Sequence, residues 1–182
     1  MKKINFFSKQ GEVLGNGSKI KLAHVLTRNF LHSHPIKYDT GSKQQEVTAF
    51  WQRDESDWWI IKGPKQIKNG DKVILTHEQT GKNLHSQKAL SPTTEEQEVS
   101  AFGSSGKGDT NDYFKVIITQ SYVWNNNKVW KVGDIVRFIH INTGVFLHSH
   151  DAKTKVSKQQ EVTGSKVDDM SNEWTVVEKF AD

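Results

Sequence analysis

One motif occurs three times in the chain, and this repetition limits the possible folds more than any other feature. Each copy opens on a glycine and carries histidines seven and fifteen residues later, followed by a Gln-Glu-Val segment. Self-similarity over most of a chain is the signature of a repeat architecture. The first histidines are His24, His77 and His140, the second are His32, His85 and His148, and the glutamines are Gln45, Gln97 and Gln160.

Apolar and polar residues alternate within each copy, as Ile20 and Leu22 do in the first. A period of two is typical of half-buried strands, and turn residues separate four short runs of this kind in every copy. A four-stranded unit exposes pairing edges and one apolar face, so it cannot stand alone. The pattern therefore predicts an all-β fold, a β-trefoil of three pseudo-symmetric four-stranded repeats with about twelve strands.

The repeats span about 17–62, 70–118 and 133–178. A chain of 182 residues is an ordinary size for one domain. We expect a single β-trefoil domain over 17–182, preceded by an N-terminal extension or first edge segment over 1–16.

Composition excludes several classes of protein. The chain has no cysteine, hence no disulfide and no thiolate metal site, and it lacks the ~20 apolar residues that a membrane span needs. Its net charge of +4 comes almost entirely from dispersed lysines. Nucleic-acid recognition favours clustered arginines, so we expect no nucleic-acid partner, no membrane insertion and a monomer.

Aromatic residues divide into core and surface candidates. Trp59, Phe114 and Trp174 occupy the same position in the three copies and are expected in the core. Their preceding neighbours differ between copies, as outward-facing positions do. The predicted binding surface consists of Trp51, Arg53, Trp58 and Tyr113, because exposed aromatic rings beside a cation are enriched at binding hot spots. The alternative is that these rings only cover the outside of the barrel.

The repeated histidines and glutamines allow two interpretations. His32 and His34 lie on one face of a strand, as metal ligands can, but the sequence marks no third ligand beside them. The same residues in three symmetry-related places are what a scaffold requires, whereas a functional site requires asymmetry. We therefore expect structural hydrogen bonds, no metal ion and no cofactor. The glutamines could read a ligand or cap a neighbouring turn, and we favour the cap.

No catalytic constellation is evident. The acidic clusters, such as Asp54–Asp57, fall in turns where acids are ordinary, and no nucleophile elbow, phosphate loop or dinucleotide motif is present. The sequence predicts a protein that is not an enzyme.

Two of the copies share a longer signature, Leu31–His34 with Gln44–Thr48 and Leu147–His150 with Gln159–Thr163. This signature resembles the MIR domain, and the second copy, from Leu75 to Gly103, is most similar to the stromal-cell-derived-factor-2 family. The resemblance implies a β-trefoil that acts as a non-catalytic binding or adaptor module. Its implied partners are proteins or glycans, in connection with protein O-mannosylation or chaperone assemblies.

A second function stays open, because MIR domains also occur in inositol trisphosphate receptors. The alternative is a small-ligand receptor for an inositol-phosphate-like anion, which needs converging arginines and lysines. Arg28 and Arg53 lie in the first copy and Arg137 in the third, with no dense cluster in the sequence.

The compartment is not fixed. The start Met1–Lys9 shows no secretory signal and the end shows no retention signal, which favours the cytoplasm. The resemblance implies the endoplasmic reticulum lumen or the secretory pathway instead.

Overall fold

A computed structural model describes residues 9–122 and 128–181 of the chain. The first repeat contains β1 Lys19–His24, β2 Phe30–Lys37, β3 Gln45–Phe50, η1 Glu55–Asp57 and β4 Trp59–Lys62. The second contains β5 Lys72–His77, β6 Asn83–Leu90, β7 Gln97–Phe102, η2 Thr110–Asp112 and β8 Phe114–Gln120. The third contains β9 Ile135–His140, β10 Phe146–Lys153, β11 Gln160–Ser165, η3 Met170–Asn172 and β12 Trp174–Lys179. The prediction of four strands per repeat is confirmed.

Six strands close into a barrel. Going round it, β1 pairs with β4, β4 with β5, β5 with β8, β8 with β9, β9 with β12, and β12 with β1, all antiparallel. Closure removes the unpaired edges that a four-stranded repeat would expose. Each repeat contributes its first and last strands to this barrel.

The other six strands form three hairpins that cap one end of the barrel. They are β2–β3, β6–β7 and β10–β11, and their second strands β3, β7 and β11 pair with one another around the pseudo-threefold axis. A six-stranded barrel capped by three hairpins is a β-trefoil, so the predicted fold class is confirmed.

The core lies on the barrel axis and contains the expected aromatic residues. Trp59, Phe114 and Trp174 are fully buried together with their alternating aliphatic neighbours. The indole Nε1 of Trp59 donates to the carbonyl of Leu31 at 3.0 Å, and Trp174 donates to Leu147 in the same way. Each indole satisfies its one donor while its rings fill the core.

Residues ahead of the first repeat also pack into the barrel. Leu14 is fully buried in the core, and its amide donates to the carbonyl of Trp130 at 2.9 Å. The amide of Gly11 donates to Val132 in the same way. Residues 1–8 of the segment 1–16 lie outside the described residues, as do 123–127 between the second and third repeats and Asp182 at the end of the domain.

The first histidine of each repeat joins two repeats through a hydrogen-bond relay. Gln45 donates from Nε2 to Ser33 Oγ at 2.8 Å and to Thr80 Oγ1 at 3.0 Å. The Thr80 hydroxyl lies 2.9 Å from Nδ1 of His77, and Nε2 of His77 lies 2.9 Å from the carbonyl oxygen of Ser56. Because a carbonyl only accepts, Nε2 carries the proton and Nδ1 accepts from Thr80.

The relay recurs at both other junctions. One passes from Gln97 through Thr143 and His140 to the Asn111 carbonyl, and the other from Gln160 through Thr27 and His24 to the Ser171 carbonyl. Each glutamine belongs to one repeat and each threonine to the next, and the third repeat returns to the first. Each of the three junctions between repeats therefore has its own relay, including the junction between the third repeat and the first.

The second histidine of each repeat ties a hairpin to a 3-10 turn. Nδ1 of His32 donates to Oδ1 of Asp57 at 2.8 Å, and Oδ2 of Asp57 accepts from the backbone amide of Asp54. These two aspartates form the capping box of η1. The corresponding pairs, also at 2.8 Å, are His85 with Asp112 and His148 with Asn172.

We predict that Leu14→Ala lowers the free energy of unfolding by about 2–5 kcal/mol, because it leaves a cavity in the core. The matched control is Leu26→Ala, since Leu26 is half exposed in the turn after β1 and should cost less than about 0.5 kcal/mol. Urea denaturation of both variants measures the difference. Equal losses would place Leu14 outside the core.

The His77 relay predicts a loss of stability in acid. Burial lowers the pKa of His77 from 6.5 to about 4, even though its hydrogen bond to Ser56 opposes the shift. The unfolded chain then binds a proton that the folded chain refuses, so stability is complete above pH 6.5 and falls as the pH drops towards 4. Over this pH range the shifted pKa of His77 lowers the free energy of unfolding by about 3 kcal/mol.

Urea denaturation between pH 4 and 7.5 measures this loss. The variant His77→Gln lacks the titrating ring, so its unfolding free energy should fall less over the same range than that of the wild type. Parallel pH profiles for the two proteins would show that the ring is not held neutral in the fold.

Candidate functional site

The predicted surface residue Trp51 follows β3, where the first repeat meets the third. Its side chain is 71% exposed and contacts the ring of Phe50, with ring centroids 5.8 Å apart. Beside it lies a cleft of about 80 Å³ whose far wall carries Lys153 and Lys158 of the third repeat. Trp51 therefore offers a flat apolar surface next to two cations.

Arg53 follows Trp51 by two residues and is positioned by an aromatic ring. Its guanidinium carbon is 5.1 Å from the ring centroid of Phe30, and its Nη1 is 3.5 Å from Oε2 of Glu178. Arg28, Phe30 and Arg53 line a second cleft of about 440 Å³. Since Arg53 is half exposed, its ion pair orients the side chain more than it stabilises the fold.

The two clefts adjoin in the sequence at the start of β2, since Asn29 lines the first and Phe30 lines the second, and together they make one candidate surface. We call this surface the Trp51 face. Its members are Arg28, Phe30, Trp51, Arg53, Lys153 and Lys158. The surface carries four cations, and Glu178 pairs with one of them, Arg53, so the surface favours neutral or acidic groups. Aromatic rings beside cations are suited to sugar faces and to peptide side chains.

The Trp51 face has no counterpart in the other repeats. Strand register places Phe50, Phe102 and Ser165 at equivalent positions, opposite the first residues of β2, β6 and β10. The residues that follow them are Trp51, Gly103 and Lys166. At this position the exposed tryptophan belongs to the first repeat alone.

The prediction that Trp58 is exposed is wrong. The side chain is 4% exposed, because Phe180 packs edge-on against it at 5.8 Å and two lysines cover its face. The Nζ atoms of Lys19 and Lys21 lie 4.9 and 4.7 Å from the ring centroid. Phe180 and the two lysines therefore cover the ring of Trp58, and the ring is not available to a partner.

Tyr113 takes the place of Trp58 in the second repeat. It is partly exposed, and Nζ of Lys72 lies 4.4 Å from its ring centroid. Both residues cap equivalent 3-10 turns, so Tyr113 belongs to the second repeat at the place that Trp58 occupies in the first. Trp51 and Arg53 therefore line separate clefts two residues apart in the chain, whereas Trp58 is buried and Tyr113 belongs to the second repeat.

A second polar ring lies among the hairpins and contains three buried glutamates. Glu46, Glu98 and Glu161 occupy equivalent positions, and each accepts a hydrogen bond from a hydroxyl of the preceding repeat: Ser157, Ser42 and Thr94 respectively. Burial raises the pKa of Glu46 and of Glu98.

Glu161 differs from the other two glutamates because a histidine reaches it. Nε2 of His150 lies 2.8 Å from Oε2 of Glu161. Burial acts to raise the pKa of Glu161, but its hydrogen bonds from His150 and Thr94 outweigh burial, so its pKa is lowered. The same hydrogen bond raises the pKa of His150. In the first repeat, burial and the neighbouring His32 lower the pKa of His34.

The sequence analysis did not identify the residues that reach the Trp51 face and His150 from neighbouring repeats. Lys153 and Lys158 reach the Trp51 face from the third repeat, and Glu96 reaches His150 from the second, with Oε2 lying 3.8 Å from Nδ1. The signal for Glu96 was visible as the one carboxylate where the other repeats carry Gln44 and Gln159. The helices of the described residues are single 3-10 turns, and none is long and apolar enough to span a membrane.

Comparison with known proteins agrees with the fold and the repeat signature. The sequence profile of the MIR domain matches residues 38–177. A stromal cell-derived factor 2-like protein of Dictyostelium discoideum is 39% identical over 177 residues, covering 89% of this chain and 81% of that protein.

Two solved structures extend the agreement to three dimensions. The crystal structure of the SDF2-like protein from Arabidopsis thaliana superimposes with a TM-score of 0.86 at 38% identity, covering 92% of this chain and 96% of that chain. The S. cerevisiae protein O-mannosyltransferase Pmt1–Pmt2 complex bound to the sugar donor contains a domain with a TM-score of 0.88 at 29% identity, covering 99% of this chain and 27% of that chain. The chain therefore belongs to the MIR-domain family, among the stromal cell-derived factor 2-like proteins.

Proposed function

We propose that this protein is a non-catalytic binding or adaptor module that recognises a protein or glycan partner through the Trp51 face. The observation that carries the proposal is the largely exposed Trp51, which lines a cleft together with two lysines of the third repeat and lies two residues before Arg53. Leaving a tryptophan so exposed forgoes roughly 1.5–3 kcal/mol of burial, which a partner covering the ring would recover. Tryptophan and arginine are the residues most enriched at binding hot spots.

A role beside protein O-mannosylation is the second part of the proposal. The chain aligns over nearly its whole length with a domain of the Pmt1–Pmt2 complex. In that complex the domain is part of a protein O-mannosyltransferase that is bound to its sugar donor. Both chemistries suit the Trp51 face, since acidic peptide groups pair with cations and sugar faces stack on indole.

The cleft beside Arg53 favours a second candidate, a receptor for a small anion of the inositol-phosphate kind. Arg28 and Arg53 line the same cleft of about 440 Å³. Two guanidinium groups can hold a phosphate in a bidentate manner. Glu178 opposes this reading, because it lies 3.5 Å from Arg53 and would repel an anion.

We predict that the double change Trp51→Ala with Arg53→Ala abolishes partner binding, while the free energy of unfolding stays within about 1 kcal/mol of wild type. The partner is found by screening the full chain against a glycan array and a peptide array, and the hit is then titrated by calorimetry. Lys166→Ala is the matched control, since Lys166 occupies the position of Trp51 in the third repeat.

Binding that survives the double change would place the contact surface elsewhere. The two candidate functions separate by titration with inositol hexakisphosphate. A salt-dependent affinity lost in Arg28→Ala and retained in Trp51→Ala would support the anion receptor, and silence there with a glycan or peptide hit would support the binding module.

A further inference from the structure

Three acceptor atoms converge where the second and third repeats meet. One carboxylate oxygen of Glu96 and one ring nitrogen each of His148 and His150 lie within 4.8 Å of one another. Glu96 comes from the loop before β7, and both histidines come from β10. The hairpins hold this group together because the Thr163 hydroxyl of β11 donates to Glu96.

Hydrogen bonds on the outer side of both rings decide which nitrogens face inward. Nδ1 of His148 lies 2.8 Å from Oδ1 of Asn172, which only accepts, so Nδ1 carries the proton and Nε2 keeps its lone pair. Nε2 of His150 donates to Oε2 of Glu161 at 2.8 Å. That bond leaves Nδ1 of the neutral ring as an acceptor, and it lies 3.8 Å from Oε2 of Glu96.

We propose that Glu96, His148 and His150 bind a divalent transition metal ion of the Zn²⁺ class. Two imidazoles and a carboxylate with one position left for water are a common zinc ligand set. Within the described part of the chain, no group donates a hydrogen bond to the inward nitrogen of either histidine. The inward lone pairs of the two rings face the Glu96 carboxylate, whose one printed donor is the Thr163 hydroxyl, and a cation bound among the three groups would remove their mutual repulsion.

The hydrogen-bond acceptors on the outer side of both histidines, Asn172 and Glu161, are of the kind found beside metal-bound histidines. Zinc-binding histidines usually donate their second N–H to a carboxylate or a carbonyl, which fixes the tautomer and aims the ring. Glu161 does this for His150 and Asn172 does it for His148. Glu161 is almost fully buried, so its position is set by the fold rather than by solvent.

The size and access of the group also fit an ion. Ligand bonds of 2.0–2.1 Å put ligand atoms about 3.3 Å apart in a tetrahedral site, so the side chains need to move inward by about an ångström. The side chains of Glu96 and His150 are 36% and 23% exposed. Glu96 also lines an open cleft of about 430 Å³, which gives an ion a path to the site.

The other two repeats act as internal controls, because each lacks part of the set. In the first, His34 donates from Nδ1 to Nε2 of His32 at 3.0 Å, and Gln159 stands in the place of Glu96. In the second, Gln87 replaces the second histidine and Gln44 replaces the carboxylate. The sequence expectation of no metal rests on a missing third ligand, and Glu96 supplies that ligand from the neighbouring repeat.

Two other histidine–carboxylate groups do not qualify. His32 with Asp54 and Asp57, and His85 with Asp109 and Asp112, also place their ligand atoms close together. In both groups the histidine N–H already donates to a capping aspartate. The ring nitrogen that faces the aspartates therefore carries a proton and has no lone pair to offer a cation.

The test is calorimetric titration of ZnCl₂ into the full chain in metal-free, non-coordinating buffer at pH 7.5. We expect saturation at one ion per chain. Glu96→Gln and His150→Gln should each weaken binding at least tenfold, the minimum typical of losing an outer partner. His34→Gln is the matched control and should leave the affinity within twofold.

Glu96→Gln is a reliable variant because glutamine already occupies this position in the other two repeats and accepts the same hydroxyl hydrogen bond. Added Zn²⁺ should also raise the melting temperature of the wild type and not that of Glu96→Gln. Absence of saturable binding would overturn the proposal, since a proton on His150 would then suffice to hold the group. Binding that Glu96→Gln leaves unchanged, or that His34→Gln weakens equally, would overturn it as well.

Discussion

The relay from glutamine through threonine to histidine is the interaction on which the rest of the trefoil depends. Barrel pairing joins neighbouring repeats along strands, but Gln45, Thr80 and His77 fix the rotation of one repeat against the next. Every donor in the relay has an acceptor, so the buried polar groups cost little to enclose.

The ring of glutamates among the hairpins follows a different rule. The relay is chemically identical at all three junctions, whereas Glu161 has a histidine partner and Glu46 does not. Histidine and threonine in the relay have one arrangement that satisfies all their atoms, and a substitution there leaves a buried atom unpaired. Glu96, in the loop beside this ring, has a side chain that is 36% exposed, so a glutamate in place of the glutamine of the other repeats is tolerated there.

The sequence predicted the fold well because threefold repetition and a period of two are properties of the chain alone. Repeats, strands, the aromatic core and the scaffold position of the first histidines could all be read from spacing. Contacts between repeats could not be read in this way. Nothing local shows that Phe180 covers Trp58 or that Glu96 meets His150, because both contacts arise only when the barrel closes.

Pseudo-symmetry gives a physical criterion for where function can lie in this molecule. Residues that keep the three repeats alike are needed to close the barrel, so natural variation at those positions is limited by stability. A ligand is asymmetric and requires positions at which the repeats differ while the fold is unaffected. Trp51 against Gly103 and Lys166 is one such position, and Glu96 against Gln44 and Gln159 is another. Both lie where a side chain from one repeat reaches the surface of another, which is where a trefoil can change its chemistry without changing its core.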